Sequence, residues 1–190
     1  MKKTIDKIQK ICYTLYIVKQ RKELILMNET KILVFDMDGT IADFYSVDSW
    51  LSDIRSYNTR PYRIAPPMYN MEELADLLNI LKQFGYRVIV TTWLSVTVNE
   101  ILNNLVKENY DQATTKEKVD WLARYNFPAD EIHCVPYGTP KHTVTQHYGG
   151  YQILFDDNQK VREEWKLGET VDANKNILPY LMKLINEELN

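Results

Sequence analysis

Ile32-Leu33-Val34-Phe35-Asp36-Met37-Asp38-Gly39-Thr40 is the stretch that decides the fold. An apolar run that ends in a glycine turn suits a strand buried on both faces, the environment of a parallel sheet covered by helices. In open α/β sheets, ligands gather beyond the carboxyl ends of such strands. Side chains at i and i+2 of an extended chain point the same way, so Asp36 and Asp38 are expected to share one pocket. Two carboxylates held there repel unless a cation joins them. A hard ion with oxygen ligands answers that need, Mg2+ before others. The same residues also make an ordinary strand and turn, since Asp and Gly are turn formers. The rest of the chain chooses between the two readings.

Downstream, Met71 to Lys82 repeats apolar residues at intervals of three and four, and Gly85 follows where a left-handed helix end is wanted. Tyr86-Arg87-Val88-Ile89-Val90 then reads as a strand finishing at Thr91-Thr92-Trp93. This strand-helix-strand order predicts a right-handed crossover and a parallel partner for the first strand. Thr91 is thereby delivered to the same sheet edge as Asp36. Its hydroxyl either donates to a phosphoryl oxygen there or simply ends a strand. Helices are expected within 96–107 and within 115–125, the second capped by Thr115. A third strand, Glu131 to Val135, leads to Tyr137-Gly138-Thr139-Pro140-Lys141, and a fourth, Tyr151 to Phe155, ends in Asp156-Asp157. Helical patterns over 159–167 and 176–189 close the chain. The expected fold is α/β, a Rossmann-like parallel sheet flanked by helices.

Between the first strand and its crossover helix, residues 45–70 carry a short amphipathic pattern around Trp50, Leu51 and Ile54, then Pro61, Pro66 and Pro67. The prolines discourage both long helix and ladder pairing, so the segment reads as a small cap over the strand ends. Its aromatics, Tyr45, Trp50, Tyr57, Tyr62 and Tyr69, either stack on a ring-bearing ligand or bury apolar area.

Composition sets outer bounds. A chain of 190 residues, 45% hydrophobic and 26% charged, has room for one core domain, here 27–190, and an appendage. Residues 1–26 hold seven basic residues against Asp6 and Glu23, a charge of +5, which leaves −8 for the remainder of a chain at −3. An acidic body argues against a stable nucleic-acid surface. The N-terminal stretch has the spacing of an amphipathic helix, yet its apolar run is far below the ~18 residues that span a bilayer. Met27 would equally serve as the natural start. Cys12 and Cys134 are too few for a disulfide framework, which suits a reducing cytoplasm. His133, His142 and His147 have no ligand spacing.

Taken together, four strand ends supply Asp-x-Asp-Gly-Thr, a threonine, a lysine and an Asp-Asp pair, in that order. This arrangement resembles the haloacid dehalogenase-like (HAD) phosphohydrolases over Lys31 to about Trp165. The resemblance implies an aspartyl-phosphate mechanism, with Asp36 as nucleophile and Asp38 as general acid and base. It implies Mg2+ on Asp36, the Asp38 backbone carbonyl and Asp157, with Asp156 nearby, and Thr91 and Lys141 on the phosphoryl oxygens.

Within that superfamily the chain looks most like the 5'(3')-deoxyribonucleotidases. Asp-Met-Asp-Gly with Ala42-Asp43-Phe44 matches their opening, apart from Thr40-Ile41 in place of Val-Leu. Lys118-Val119-Asp120-Trp121-Leu122, Tyr125 and Phe155-Asp156-Asp157 resemble further segments. The likeness implies a small phosphomonoester substrate, a nucleoside monophosphate, with Phe44 on the base and Thr92 beside the phosphate. Trp93 faces either the substrate or the core. The cap is shorter than in that family, and Lys141 lies farther from the aspartate pair. Sugar phosphates, nucleic-acid ends, or simple binding by an idle module are the alternative functions.

Overall fold

The computed structural model describes residues 31–103 and 105–190. The expected N-terminal helix, Cys12 and the Met27 start lie outside the described residues. Five strands form one sheet: β1 (Lys31–Phe35), β2 (Tyr86–Thr97), β3 (Glu131–Tyr137), β4 (Tyr151–Asp156) and β5 (Gly168–Asp172). All pairings are parallel and the order is β3-β2-β1-β4-β5. β1 is therefore central, and connections leave it in opposite directions. The space outside its carboxyl end is the switch point where doubly wound sheets place their ligands.

Two-residue alternation along β1 splits the core into two layers. Leu33 and Phe35 face one side, with Leu74, Leu78 and Leu81 of α3 (Met71–Gln83) and Leu181 and Ile185 of α8 (Leu178–Leu189). Ile32 and Val34 face the other, with Val161 of α7 (Gln159–Glu164) and Trp165. Phe35 also stacks on Phe155 of β4 at 4.4 Å between centroids. The apolar run is fully buried on both faces because helices cover both.

The 45–70 segment, expected to be a cap, leaves after β1 through α1 (Trp50–Arg55) and α2 (Arg60–Ile64). It returns beside its own start: the Asp43 amide donates to the Pro66 carbonyl at 2.8 Å, and the Met68 amide to the Ile41 carbonyl at 2.9 Å. Asn70 caps α3 by accepting from the Glu72 and Glu73 amides.

Three local expectations differ from the structure. β2 does not end at Trp93 but runs to Thr97, because Leu94 and Val96 keep the alternation and bury against Tyr110. The helix expected within 96–107 is accordingly α4 (Val98–Leu102), begun by a capping box of Thr97 and Glu100. Thr115 is not a cap. It lies inside α5 (Tyr110–Arg124), which starts at Asn109, and its hydroxyl donates to the Asp111 carbonyl. Finally, the helical pattern over 159–167 stops at Glu164, and β5 follows. A side chain at Gly168, whose φ is 149°, would place Cβ 2.3 Å from the Gln152 carbonyl oxygen, so only glycine lets β5 dock on β4.

Candidate active site

Register brings the site together. Phe35 pairs with Val90 on one side and Phe155 on the other, so the next residues, Asp36, Thr91 and Asp156, emerge side by side at the carboxyl edge. The Asp36 amide extends the ladder by donating to the Phe155 carbonyl at 2.9 Å. Immediately beyond, the Thr40, Ile41 and Ala42 amides converge on the Met37 carbonyl and fold the chain into a tight turn. Gly39 sits in that turn at φ 83°, where a Cβ would lie 2.6 Å from Asp157 Oδ2 and 2.6 Å from Tyr45 Cε2. The turn and the aspartate pair thus close on each other.

Lys141, the first residue of α6 (Lys141–Thr145), is buried at the centre, with Nζ 2.6 Å from Asp36 Oδ1 and 2.6 Å from Asp156 Oδ2. Burial alone would depress its pKa, but the two carboxylates outweigh that and hold it above the ordinary lysine value. Trp93 supports this lysine: its indole N–H donates to the Thr139 carbonyl at 2.8 Å, and the ammonium lies 5.4 Å from its ring centroid.

Oxygen atoms of Asp36, Asp156 and Asp157 lie within 4.8 Å of one another. Three carboxylates face one ammonium, a surplus of negative charge at a largely buried strand edge. Burial and the neighbouring Asp36 push Asp156 up to about 6 and Asp157 up to about 7. This all-oxygen, anionic donor set fits a hard divalent cation. Asp156 is the more committed of the pair, since Asn158 N–H donates to its Oδ1 and Lys141 to its Oδ2. Behind it, Arg162 donates to the Asp156 carbonyl at 2.7 Å and pairs with Asp172, while Asn174 Nδ2 donates to the Asp157 carbonyl at 2.6 Å.

Asp38 does not join that carboxylate cluster. Its Oδ2 is 2.5 Å from Nζ of Lys118, a fully buried residue of α5. Burial raises the Asp38 pKa, an effect Lys118 only partly offsets. The metal contact expected of Asp38 runs through its backbone carbonyl, and its side chain is engaged by Lys118. Lys118 also donates to Thr92 Oγ1 at 2.9 Å and lies 4.8 Å from the Tyr62 ring centroid. Thr92, expected beside a phosphate, is buried with its hydroxyl turned to this lysine. Thr91, by contrast, has a buried hydroxyl without a partner among the described residues. Sequence reasoning missed Lys118, Arg162 and Asn174 as parts of the site.

A cavity of about 240 Å³ opens onto Asp36 and Asp38. Phe44 and, from the 45–70 segment, Tyr45, Trp50 and Tyr62 line one side, and Trp93 and Tyr137 the other. Phe44 is buried and packs against Tyr45, Trp50 and Tyr62. Trp93 therefore serves both the cavity wall and the lysine loop.

No protein-family model and no curated protein sequence matches the chain. Among solved structures, the D,D-heptose 1,7-bisphosphate phosphatase of B. bronchiseptica, complexed with magnesium and phosphate, aligns over 83% of this chain and 99% of its own, with 11% identity and a TM-score of 0.51. The chain has a HAD-like fold. Two further structures align with lower scores. They are the Burkholderia thailandensis D,D-heptose 1,7-bisphosphate phosphatase (12% identity, 82% and 99% coverage, TM-score 0.42) and the HAD domain of the Legionella pneumophila effector Lem4 (14%, 85% and 96%, 0.44). Within the HAD-like fold, the strand edge that gathers Asp36, Lys141, Asp156 and Asp157 is the one that parallel sheets use for chemistry. No helix among the described residues is long and apolar enough to cross a membrane.

Proposed function

We propose that this chain is a Mg2+-dependent phosphomonoesterase that forms an aspartyl-phosphate on Asp36, with nucleoside monophosphates as substrates. The observation that carries the reading is the convergence of Asp36, Lys141, Asp156 and Asp157 at one buried strand edge, open to a cavity. Phosphate esters resist attack because they are anionic, so a site must neutralise charge and hold an in-line nucleophile.

Asp36, Asp156 and Asp157 are the residues that would hold Mg2+. When bound, the ion supplies positive charge for the phosphoryl oxygens. An Asp36 carboxylate oxygen attacks phosphorus, and the ester O–P bond breaks. Asp38 gives its proton to the departing oxygen and becomes a carboxylate. It then takes a proton from water as that water displaces phosphate from Asp36, restoring both groups. Lys141 and Thr91, whose buried hydroxyl has no hydrogen-bond partner among the described residues, would hold phosphoryl oxygens.

The aromatic cavity supports a ring-bearing leaving group, since flat apolar walls stack on a base at little entropic cost. The test is phosphate release from deoxyribonucleotides, ribonucleotides and sugar phosphates, with Mg2+ and with EDTA. Metal-dependent preference for nucleoside monophosphates is expected. Equal or better turnover of sugar phosphates reassigns the substrate, and no turnover of any ester overturns the activity.

A further inference from the structure

Six aromatic side chains line the site cavity, and they differ in how much ring they leave free. Phe44 and Tyr62 are buried against each other, with ring centroids 4.9 Å apart. Trp50 meets both Phe44 and Tyr45 edge-on, and Trp93 is engaged by the Lys141 ammonium. Of the six, only Tyr45 (51%) and Tyr137 (57%) are more than half exposed. Tyr45 belongs to the carboxylate end, since a Cβ at Gly39 would lie 2.6 Å both from its Cε2 and from Asp157 Oδ2. Tyr137 comes from the end of β3. Because β2 runs past Trp93, its last residue, Thr97, pairs with Tyr137 and brings Val98 and Asn99 alongside. A second recess of about 430 Å³ lies there, lined by Thr97, Val98, Asn99, Tyr137 and Thr139 among others, with no charged residue in its described lining. Tyr137 is thus the wall that the site cavity and the neutral recess share.

We propose that Tyr137 is the specificity-determining residue for the leaving group: the base of a nucleoside monophosphate stacks on its exposed ring, and the far edge of the base enters the neutral recess beside Asn99. The inference rests on the phosphatase reading and moves the base away from Phe44, whose ring is already enclosed. A nucleoside monophosphate is charged at one end and neutral at the other. Lys141 and a divalent cation answer the phosphate, whereas an uncharged recess takes a base without stripping water from an ion. A tyrosine ring supplies flat apolar area with few rotatable bonds to freeze. The exposed Asn99 amide carries both a donor and an acceptor, the pair that a base edge presents.

The test compares kcat/KM, with Mg2+, for a deoxyribonucleoside 5'-monophosphate and for 2-deoxyribose 5-phosphate, which offers the same ester without a base. One base stacked on an aromatic side chain is worth roughly 10-fold or more. Tyr137→Ala should lose on that order for the nucleotide, mainly through KM, and under about 2-fold for the sugar phosphate, while Tyr137→Phe keeps both rates. Should Tyr137→Ala fail to fold, Tyr137→Leu, which keeps bulk and removes the ring, carries the same comparison. Asn99→Trp, which fills the recess, should slow the nucleotide and spare the sugar phosphate. Equal losses for both esters in Tyr137→Ala mean that Tyr137 acts through Trp93, and they overturn the stacking role while the phosphatase reading stands. A wild type that treats both esters alike, or a base-selective loss in Tyr45→Ala with none in Tyr137→Ala, does the same. An unchanged nucleotide rate in Asn99→Trp overturns the use of the recess. A wild type that hydrolyses neither ester overturns the phosphatase reading and this inference with it.

Discussion

The Lys141 ammonium is 2.6 Å from the Asp36 carboxylate, and that contact ties α6 to the end of β1 at the centre of the molecule. The same ammonium reaches Asp156 at the end of β4. One cation thus holds two adjacent strand ends whose carboxylates would otherwise repel.

Lys141→Met should therefore weaken the fold as well as the chemistry. Removing one partner of a buried ion pair costs about 3–5 kcal/mol, since the abandoned charges stay buried. Urea unfolding in EDTA should show that loss, and added Mg2+ should recover more stability in the variant than in wild type. Identical unfolding midpoints in EDTA would mean that Lys141 does not neutralise the cluster.

Mg2+ itself should stabilise the protein in a pH-dependent way. A ligand that binds only the folded state raises stability by RT ln(1 + [L]/Kd). Asp156 near 6 and Asp157 near 7 are both raised above ordinary carboxylates. Below those values protons occupy the oxygens that Mg2+ needs. In the metal-free protein the folded state then binds more protons than the unfolded chain between about pH 4 and 7, so this cluster's contribution to stability falls as pH rises through 7. The Mg2+-induced rise in melting temperature should accordingly be large at pH 7.5 and small at pH 5.5. A shift of equal size at both values would contradict metal binding at these carboxylates.

Gly39→Ala tests the closeness of the turn to the aspartate pair. The left-handed backbone costs an alanine about 1–2 kcal/mol, and its Cβ would need the space of Asp157 Oδ2 and Tyr45. Both stability and Mg2+ affinity should drop. Isothermal titration with Mg2+ that matches wild type would show that Asp157 is not held by the turn.

Asn174→Ala removes the donors to the Asp157 carbonyl and to Asp172 Oδ1. Groups that orient metal ligands typically govern affinity by about 10-fold or more. The expectation is weaker Mg2+ binding by that order, with a stability loss near 1 kcal/mol. Unchanged affinity would assign Asn174 to loop structure alone.

How far the sequence reveals this site depends on how local each signal is. β1, its turn and the Asp156-Asp157 end are carried by contiguous residues, so periodicity and turn chemistry expose them directly. Lys118 is different: its partners lie 80 and 26 residues away, and only the register of β1 and β2 brings them together. A trace of it is nevertheless present in α5, where the buried face runs Thr114, Lys118, Trp121 and Leu122, placing a lysine on an apolar stripe. Arg162 and Asn174 act on backbone carbonyls, which no side-chain motif records. β5 escaped because Gly-Glu-Thr-Val-Asp is short and polar at an edge, and its place is fixed by docking on β4.

The central claim is that Asp36 carries the phosphoryl group. Mixing the protein with Mg2+ and a hydrolysed nucleoside monophosphate, quenching in acid within the first turnover and mapping peptides by mass spectrometry tests it directly. The account predicts one phosphoryl group on Asp36, labile to hydroxylamine and missing from Asp36→Asn. Steady turnover with no acyl-phosphate on Asp36, or with full activity in Asp36→Asn, would contradict it.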